Sequence, residues 1–242
     1  MKFITFDTET TGVDAEVDRL VELAGVCRGF EHFTTLVNPE RDIPPGARAI
    51  HHIGPEDVAN APDETGAMND FFEHFWESDM QAVASTVLVA HNAKFDRGFV
   101  KRIDPLTEQN VKYICTMRCA WMSWPDAPGY SNQVLRYWLE LKDLDLPPDL
   151  FPHRALYDAI VTQGILERLL EKHPVKTLLE WSNNPVLMPK VPYGKHKGKT
   201  WDEVDYGYLK WALGGSGPAD DEDFIYTAQH WMKKNSGNWG KR

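Results

Sequence analysis

The chain opens MKFITFDTETTG, and the stretch KFITFDTETTG from Lys2 to Gly12 decides how the rest is read. Lys2 to Phe6 alternate and are rich in Phe, Ile and Thr, a strand signal that ends near Gly12. Asp7 and Glu9 stand two residues apart at the carboxyl end of that strand, so a side-chain period of two points both to one face of a sheet. Carboxylates this close repel one another unless a cation joins them. Composition alone produces an Asp-x-Glu about once in a chain of this size, with each residue type at roughly 6%, and the bland alternative is a solvated strand end. The flanking Thr10, Thr11 and Gly12 strengthen the functional reading, because they let backbone amides approach a ligand.

Outward from this strand, Arg19 to Arg28 and Glu31 to Val37 are two further strand-like runs, so the amino-terminal part reads as a three-strand antiparallel meander closed by the turn-rich segment Asn38 to Gly46. From Pro55 the pattern becomes helical, with Met68, Phe71, Phe72, Phe75 and Trp76 at spacings of three and four. Thr86 to Ala90 reads as a short buried strand, Phe95 to Ile103 as a helix and Lys112 to Cys115 as a strand. Helical patterns follow at 116–123 and 131–141, and a long helix runs from Arg154 to Lys172, where Pro174 stops it. A meander followed by βα units implies an α/β fold: a mixed sheet with helices on its faces. The Asn- and Pro-rich stretch Ser182 to Pro192 reads as a linker. The expected division is one domain over 1–178 and, over 179–242, a linker plus a small basic and aromatic module broken by the glycine-rich segment Gly214 to Pro218.

Two more segments carry candidate chemistry. HNAKFD, His91 to Asp96, stands at a second strand end, that of Thr86 to Ala90, and such strand-to-helix junctions are where ligands gather. A lone Asp96 there also suits a helix start. HRALYD, His153 to Asp158, opens the long helix. Five residues on a helix turn through about 140° relative to one another, so His153 belongs in the loop before the helix, leaning over the site that Asp158 faces. Singly, His153 suits a capping or packed histidine and Asp158 an exposed helix residue. Together, Asp7, Glu9, Asp96 and Asp158 form an all-oxygen ligand set, which selects Mg²⁺ or Mn²⁺ rather than zinc. Two such ions ~4 Å apart suit phosphoryl displacement.

Composition narrows the classes. The net charge of −10 argues against wrapping long duplex through many phosphate contacts. Cys27, Cys115 and Cys119 cannot all pair and lack zinc spacing, so they read as reduced thiols of a cytoplasmic protein. The amino terminus turns acidic too early for a signal-peptide core, and the longest mostly apolar run is about half of the ~20 residues a bilayer needs; no membrane partner is expected. Lys190, Lys195, Lys197 and Lys199 form a basic island without an intervening acid. With Tyr193 and Trp201 they either hold phosphates and stack on a base, as single-strand binders do, or decorate a glycine-turned hairpin over an aromatic mini-core. Asp220 to Asp223 reads as a solvated turn, lacking the spaced ligands and glycine of a calcium loop.

At FDTETTG (Phe6 to Gly12), HNAKFD and HRALYD, in this order, the chain resembles the DnaQ-like DEDDh 3′–5′ exonucleases, whose fold is RNase H-like with a mixed five-stranded sheet. The related tyrosine branch has Tyr where Arg154 stands, whereas the histidine branch has His where His153 stands; Tyr157 fits neither position. Ile114 to Met117, Trp124-Pro125, Tyr130 to Asn132, Tyr193 to Lys199 and Tyr208 to Trp211 extend the likeness to one subgroup with the same carboxyl-terminal motif. The resemblance implies that Asp7 bridges two Mg²⁺ ions, that Glu9 and Asp158 complete one site, and that Asp96 serves the other through water. It also implies that His153 is the general base. Implied substrate contacts are Thr10, Thr11 and Gly12, His51 in AIHHI (Ala49 to Ile53), Asn92, and Lys195, Lys197 and Lys199, with His52 at a position that is often Gly in the family.

The implied partner is DNA with a free 3′ end, single-stranded and also double-stranded, with RNA as a further substrate and a homodimer as an open assembly state. Rival readings are an exoribonuclease or oligoribonuclease, a polymerase-associated proofreading subunit, and a dead nucleic-acid binder. The intact set of site residues argues against the last.

Overall fold

The computed structural model describes residues 1–76, 83, 85–142, 144–214, 217–218 and 221–235. Strands β1 (Lys2–Thr10), β2 (Leu20–Val26), β3 (Phe33–Leu36), β4 (Thr86–Ala90) and β5 (Lys112–Cys115) form a 5-stranded sheet in the order β3-β2-β1-β4-β5. The first three are antiparallel neighbours, as their short connections dictate, while β4 and β5 run parallel to β1. β4 is buried at every position because it sits inside the sheet with both faces covered.

Alternation divides the core. Ile4, Phe6, Leu88 and Ala90 face α3 (Glu64–Trp76) and α4 (Lys94–Ile103), meeting Phe71, Phe75 and Phe99. Val87, Val89 and Ile114 face the opposite layer, α6 (Thr116–Ser123), α8 (Ala155–Lys172) and α9 (Val175–Asn183), through Cys119, Val161, Ile165 and Leu178. The aromatic row of α3 presses onto β2 at Gly25, where a Cβ would lie 2.5 Å from the Phe71 ring, so only glycine fits. The remaining helices are α1 (Pro45–His51), α2 (Pro55–Val58), α5 (Pro105–Asn110), α7 (Asn132–Trp138), α10 (Tyr206–Leu213) and α11 (Glu222–Asn235).

Several boundaries differ from the sequence reading. The turn-rich segment ends in the start of α1 at Pro45, and the helical run from Pro55 is two helices interrupted over 59–63. Helix α5 was not anticipated; Asp104 caps it through the amides of Leu106 and Thr107. The expected division at 178/179 falls inside α9, whose Leu178 is fully buried in the sheet core and whose Ser182 Oγ accepts from the Cys115 amide at 2.9 Å. The linker therefore starts after Asn183.

Beyond it, Met188, Val191, Trp201, Tyr208, Leu209 and Phe224 make a separate small core. Arg118 of α6 ties this module down, donating to the Ser182 and Asn184 carbonyls at 2.8 and 2.7 Å and to Asp223 at 2.6 Å. The reading of Asp220 to Asp223 as a solvated turn is corrected here. Asp221 caps α11 through the Phe224 amide, and Asp223 is buried against Arg118 and the Val186 amide. Asp220, and Gly215 and Ser216 of the expected glycine-rich break, lie outside the described residues. Among the described residues no helix is long and apolar enough to cross a membrane.

Candidate active site

The alternation of β1 sends Thr5, Asp7 and Glu9 toward the α8 layer and Thr8 toward α4. At Glu9/Thr10 the pairing with β2 shifts register, an irregularity of the kind that re-aims side chains beside active sites. Asp158, in the first turn of α8, comes down onto the same spot, and one carboxylate oxygen from each of Asp7, Glu9 and Asp158 lies within 4.8 Å of the others. Burial, followed by Asp96, Asp158 and Glu9, raises the Asp7 pKa well above the ordinary carboxylate value. Glu9 is pushed up to about 9 by burial and then by Asp158 and Glu22. So many acids sharing a desolvated spot need positive charge, and among the described residues no cysteine or imidazole nitrogen joins the trio, so the donor set fits a hard divalent cation.

Asp96 is outside the trio. Its helix lies on the other side of the sheet, where its buried Oδ1 accepts from Thr8 Oγ1 at 2.7 Å. Burial raises its pKa to about 7 against the lowering effect of that bond. Its charge still reaches Asp7, whose largest electrostatic perturbation it is.

His153 sits in the loop before α8 with an exposed side chain and a left-handed backbone, φ 66°. Its amide donates to Asp158 Oδ2 at 2.9 Å, and Asn132 Nδ2 approaches Oδ1 at 3.4 Å. The loop and the ligand are thus one unit. Tyr157 is buried, and its hydroxyl donates to Gln133 and accepts from Arg136, away from the trio.

Sequence reasoning passed over Glu22. It pairs across the sheet with Glu9, is buried, and takes Arg154 Nη2 at 2.6 Å and Nε at 3.0 Å while accepting the Ala155 amide at 2.9 Å. This fork fixes the start of α8, and hence His153 and Asp158, to β2 beside the trio. An acid in an apolar strand, LVELAGV, was the available signal.

The proposed substrate contacts fare unevenly. The Thr11 amide donates to the Arg19 carbonyl at 2.8 Å and the Thr11 hydroxyl to Asp18 at 3.1 Å, bonds that hold the loop after β1. The Thr10 hydroxyl donates to the Gly12 carbonyl at 2.6 Å, and a Cβ at Gly12 would collide with Asp18 at 2.3 Å. His51 is buried, its Nδ1 accepting from the Ile53 amide at 3.0 Å, and burial lowers its pKa. His52, the C-cap of α1, has φ 59°, which explains why glycine suits that position. Asn92 is exposed with φ 63° at the turn into α4.

In the module, Lys195 pairs with Asp205 at 2.7 Å, and Lys197 and Lys199 are exposed around Gly198. Lys195 and then His196 hold the Asp205 carboxyl below its usual range. Trp201 is 2% exposed and cannot stack on a base, which corrects that part of the expectation.

The sequence profile of the exonuclease family RNase_T matches residues 4–166. The chain is 34% identical over 236 residues to Exodeoxyribonuclease 10 of Escherichia coli (strain K12), covering 94% of this chain and 97% of that protein. Over 184 residues it is 40% identical to DNA polymerase III subunit epsilon of Treponema pallidum (strain Nichols), covering 71% and 77% respectively. The solved structure of Exonuclease X in complex with 5′ overhanging duplex DNA is 32% identical and superposes with a TM-score of 0.58, covering 75% of this chain and 99% of that one. Exonuclease I of E. coli in complex with a dA16 oligonucleotide shares the fold, with a TM-score of 0.54 at 18% identity over 74% of this chain and 42% of that one.

Proposed function

Because the chain belongs to the RNase_T exonuclease family, we propose that it is a metal-dependent 3′-to-5′ exodeoxyribonuclease that releases 5′-mononucleotides from DNA ends. The observation that carries this reading is the convergence of Asp7, Glu9 and Asp158 within 4.8 Å beside the loop of His153. Asp7, Glu9 and Asp158 would hold one Mg²⁺, and Asp7 with Asp96, through water, a second; Mn²⁺ would substitute. Bound there, the ions supply Lewis-acid neutralisation at the attacking and departing oxygens of an in-line displacement. His153, exposed in the loop before α8, takes the proton of the attacking water. The Glu22–Arg154 fork keeps that base in register with the carboxylates.

DNA is preferred over RNA, and a free exonuclease over a proofreading subunit, because the likeness to Exodeoxyribonuclease 10 runs over 94% of the chain, module included. The test is to incubate the protein and its Asp7→Ala variant with 5′- and 3′-labelled DNA and RNA of one sequence, with Mg²⁺ or EDTA. Stepwise shortening of 5′-labelled DNA, early mononucleotide release from the 3′ label and loss of both with EDTA or the variant are expected. Faster loss of RNA would overturn the substrate, and wild-type cleavage by Asp7→Ala would overturn the site.

A further inference from the structure

A cleft of about 910 Å³ separates α4 from the carboxyl-terminal module, and of the residues discussed for the site above only Asn92 reaches its lining. It begins at Asn92 and Ala93 and passes the end of β5 at Cys115, the same strand-end edge of the sheet that carries the carboxylates at the end of β1. Helix α4 connects the two places. Asp96 turns inward to Thr8, while Lys94, Arg97 and Lys101 line the cleft at spacings of three and four, a cationic stripe about 10 Å long at about 1.5 Å per residue.

Trp121 and Tyr193 also line the cleft, Tyr193 being 40% exposed. Its acids have partners of their own: Asp221 accepts from the Tyr193 hydroxyl at 2.9 Å, and Asp223 and Glu222 lie 2.6 and 3.6 Å from Arg118 of α6. The basic island expected to bind phosphates, Lys195, Lys197 and Lys199, is not part of the lining. The cations that line this cleft come instead from the sheet-bearing part of the chain, from α4 and from Arg118 of α6.

A row of cations with aromatic rings beside it suits single-stranded nucleic acid, whose phosphates follow the charge and whose bases stack. We propose that this cleft carries the single-stranded DNA arm immediately 5′ of the nucleotide at the carboxylates, with phosphates along Lys94, Arg97 and Lys101 and a base against Trp121 or Tyr193. The assignment rests on the exonuclease reading.

Its test compares a long single-stranded oligonucleotide with thymidine 5′-monophosphate p-nitrophenyl ester, which is too short to enter the cleft, using the wild type and Lys94→Glu/Lys101→Glu. The variant should lose at least about tenfold more kcat/KM on the long strand than on the ester. Its log Kd against log salt, measured in EDTA, should flatten by about 0.7 for each phosphate that the variant no longer neutralises. Equal losses on both substrates would overturn the cleft, while a wild type inactive on both would remove the exonuclease reading and the cleft with it. Should the variant fold poorly, photocrosslinking of the wild type in EDTA to a strand bearing 5-iodouracil decides. Adducts on Trp121 or Tyr193 are expected, and adducts confined to other surfaces would overturn the proposal.

Discussion

Glu9 has its pKa raised from 4.5 to about 9 and Asp96 from 3.8 to about 7, both chiefly by burial, so the folded protein holds protons that the unfolded chain releases. For such acids the native state binds more protons between the two pKa values, and stability falls as pH rises through that window. In EDTA the Tm should therefore decline from about pH 4.5 to about pH 9. With Mg²⁺ the decline should be shallower, so the gap between the two Tm curves should widen with pH. Parallel curves would mean that the carboxylates do not hold the ion. His153 makes a different prediction, because it holds Asp158 through its backbone amide. His153→Ala should lower turnover by ~10² to 10⁴ yet keep the Mg²⁺-dependent rise in Tm. Loss of that rise would assign His153 to the metal and not to the proton.

Where β2 meets the start of α8, stability and function share one contact. Glu22 is 2% exposed, and Arg154 with the Ala155 amide supplies its partners. Arg154→Ala would strand a buried carboxylate beside Glu9, at a cost of about 3–5 kcal/mol, read as a lower urea midpoint. The double change Glu22→Gln/Arg154→Ala should recover part of that loss, since no buried charge is left unpaired. A double variant no more stable than Arg154→Ala alone would show that the fork is not the source. The left-handed backbone of His153, φ 66°, lies next to this fork, which is where a strained residue has a neighbour able to hold it.

Across the whole molecule, the module has its own core and is tied to the sheet through Arg118. Arg118→Ala removes the partner of the buried Asp223, and calorimetry should then separate one unfolding transition into two, the first belonging to the module. A single transition at lower temperature would mean that Trp121 and the other apolar contacts couple the parts by themselves. The strands were legible to within a few residues, with β4 and β5 read at their observed limits, because alternation and β-branched runs are local properties. Helix α9 was not. Its nine residues look like the approach to a linker until Leu178 is seen buried against the sheet.

By itself, the sequence determined the chemistry on offer: four carboxylates and a histidine in three short segments, at spacings that put Asp7 and Glu9 on one face and His153 ahead of a helix. Those are consequences of strand and helix periods, which need no knowledge of neighbours. Only the tertiary structure decided that Asp7, Glu9 and Asp158 meet while Asp96 bonds to Thr8 on the opposite face of the sheet, and that Trp201 is core. It also decided that Glu22 holds Arg154, and that the cations lining the cleft come from α4 and α6 and not from the basic island. Each depends on which elements pack against which face, and that is fixed by burial between residues far apart in the chain.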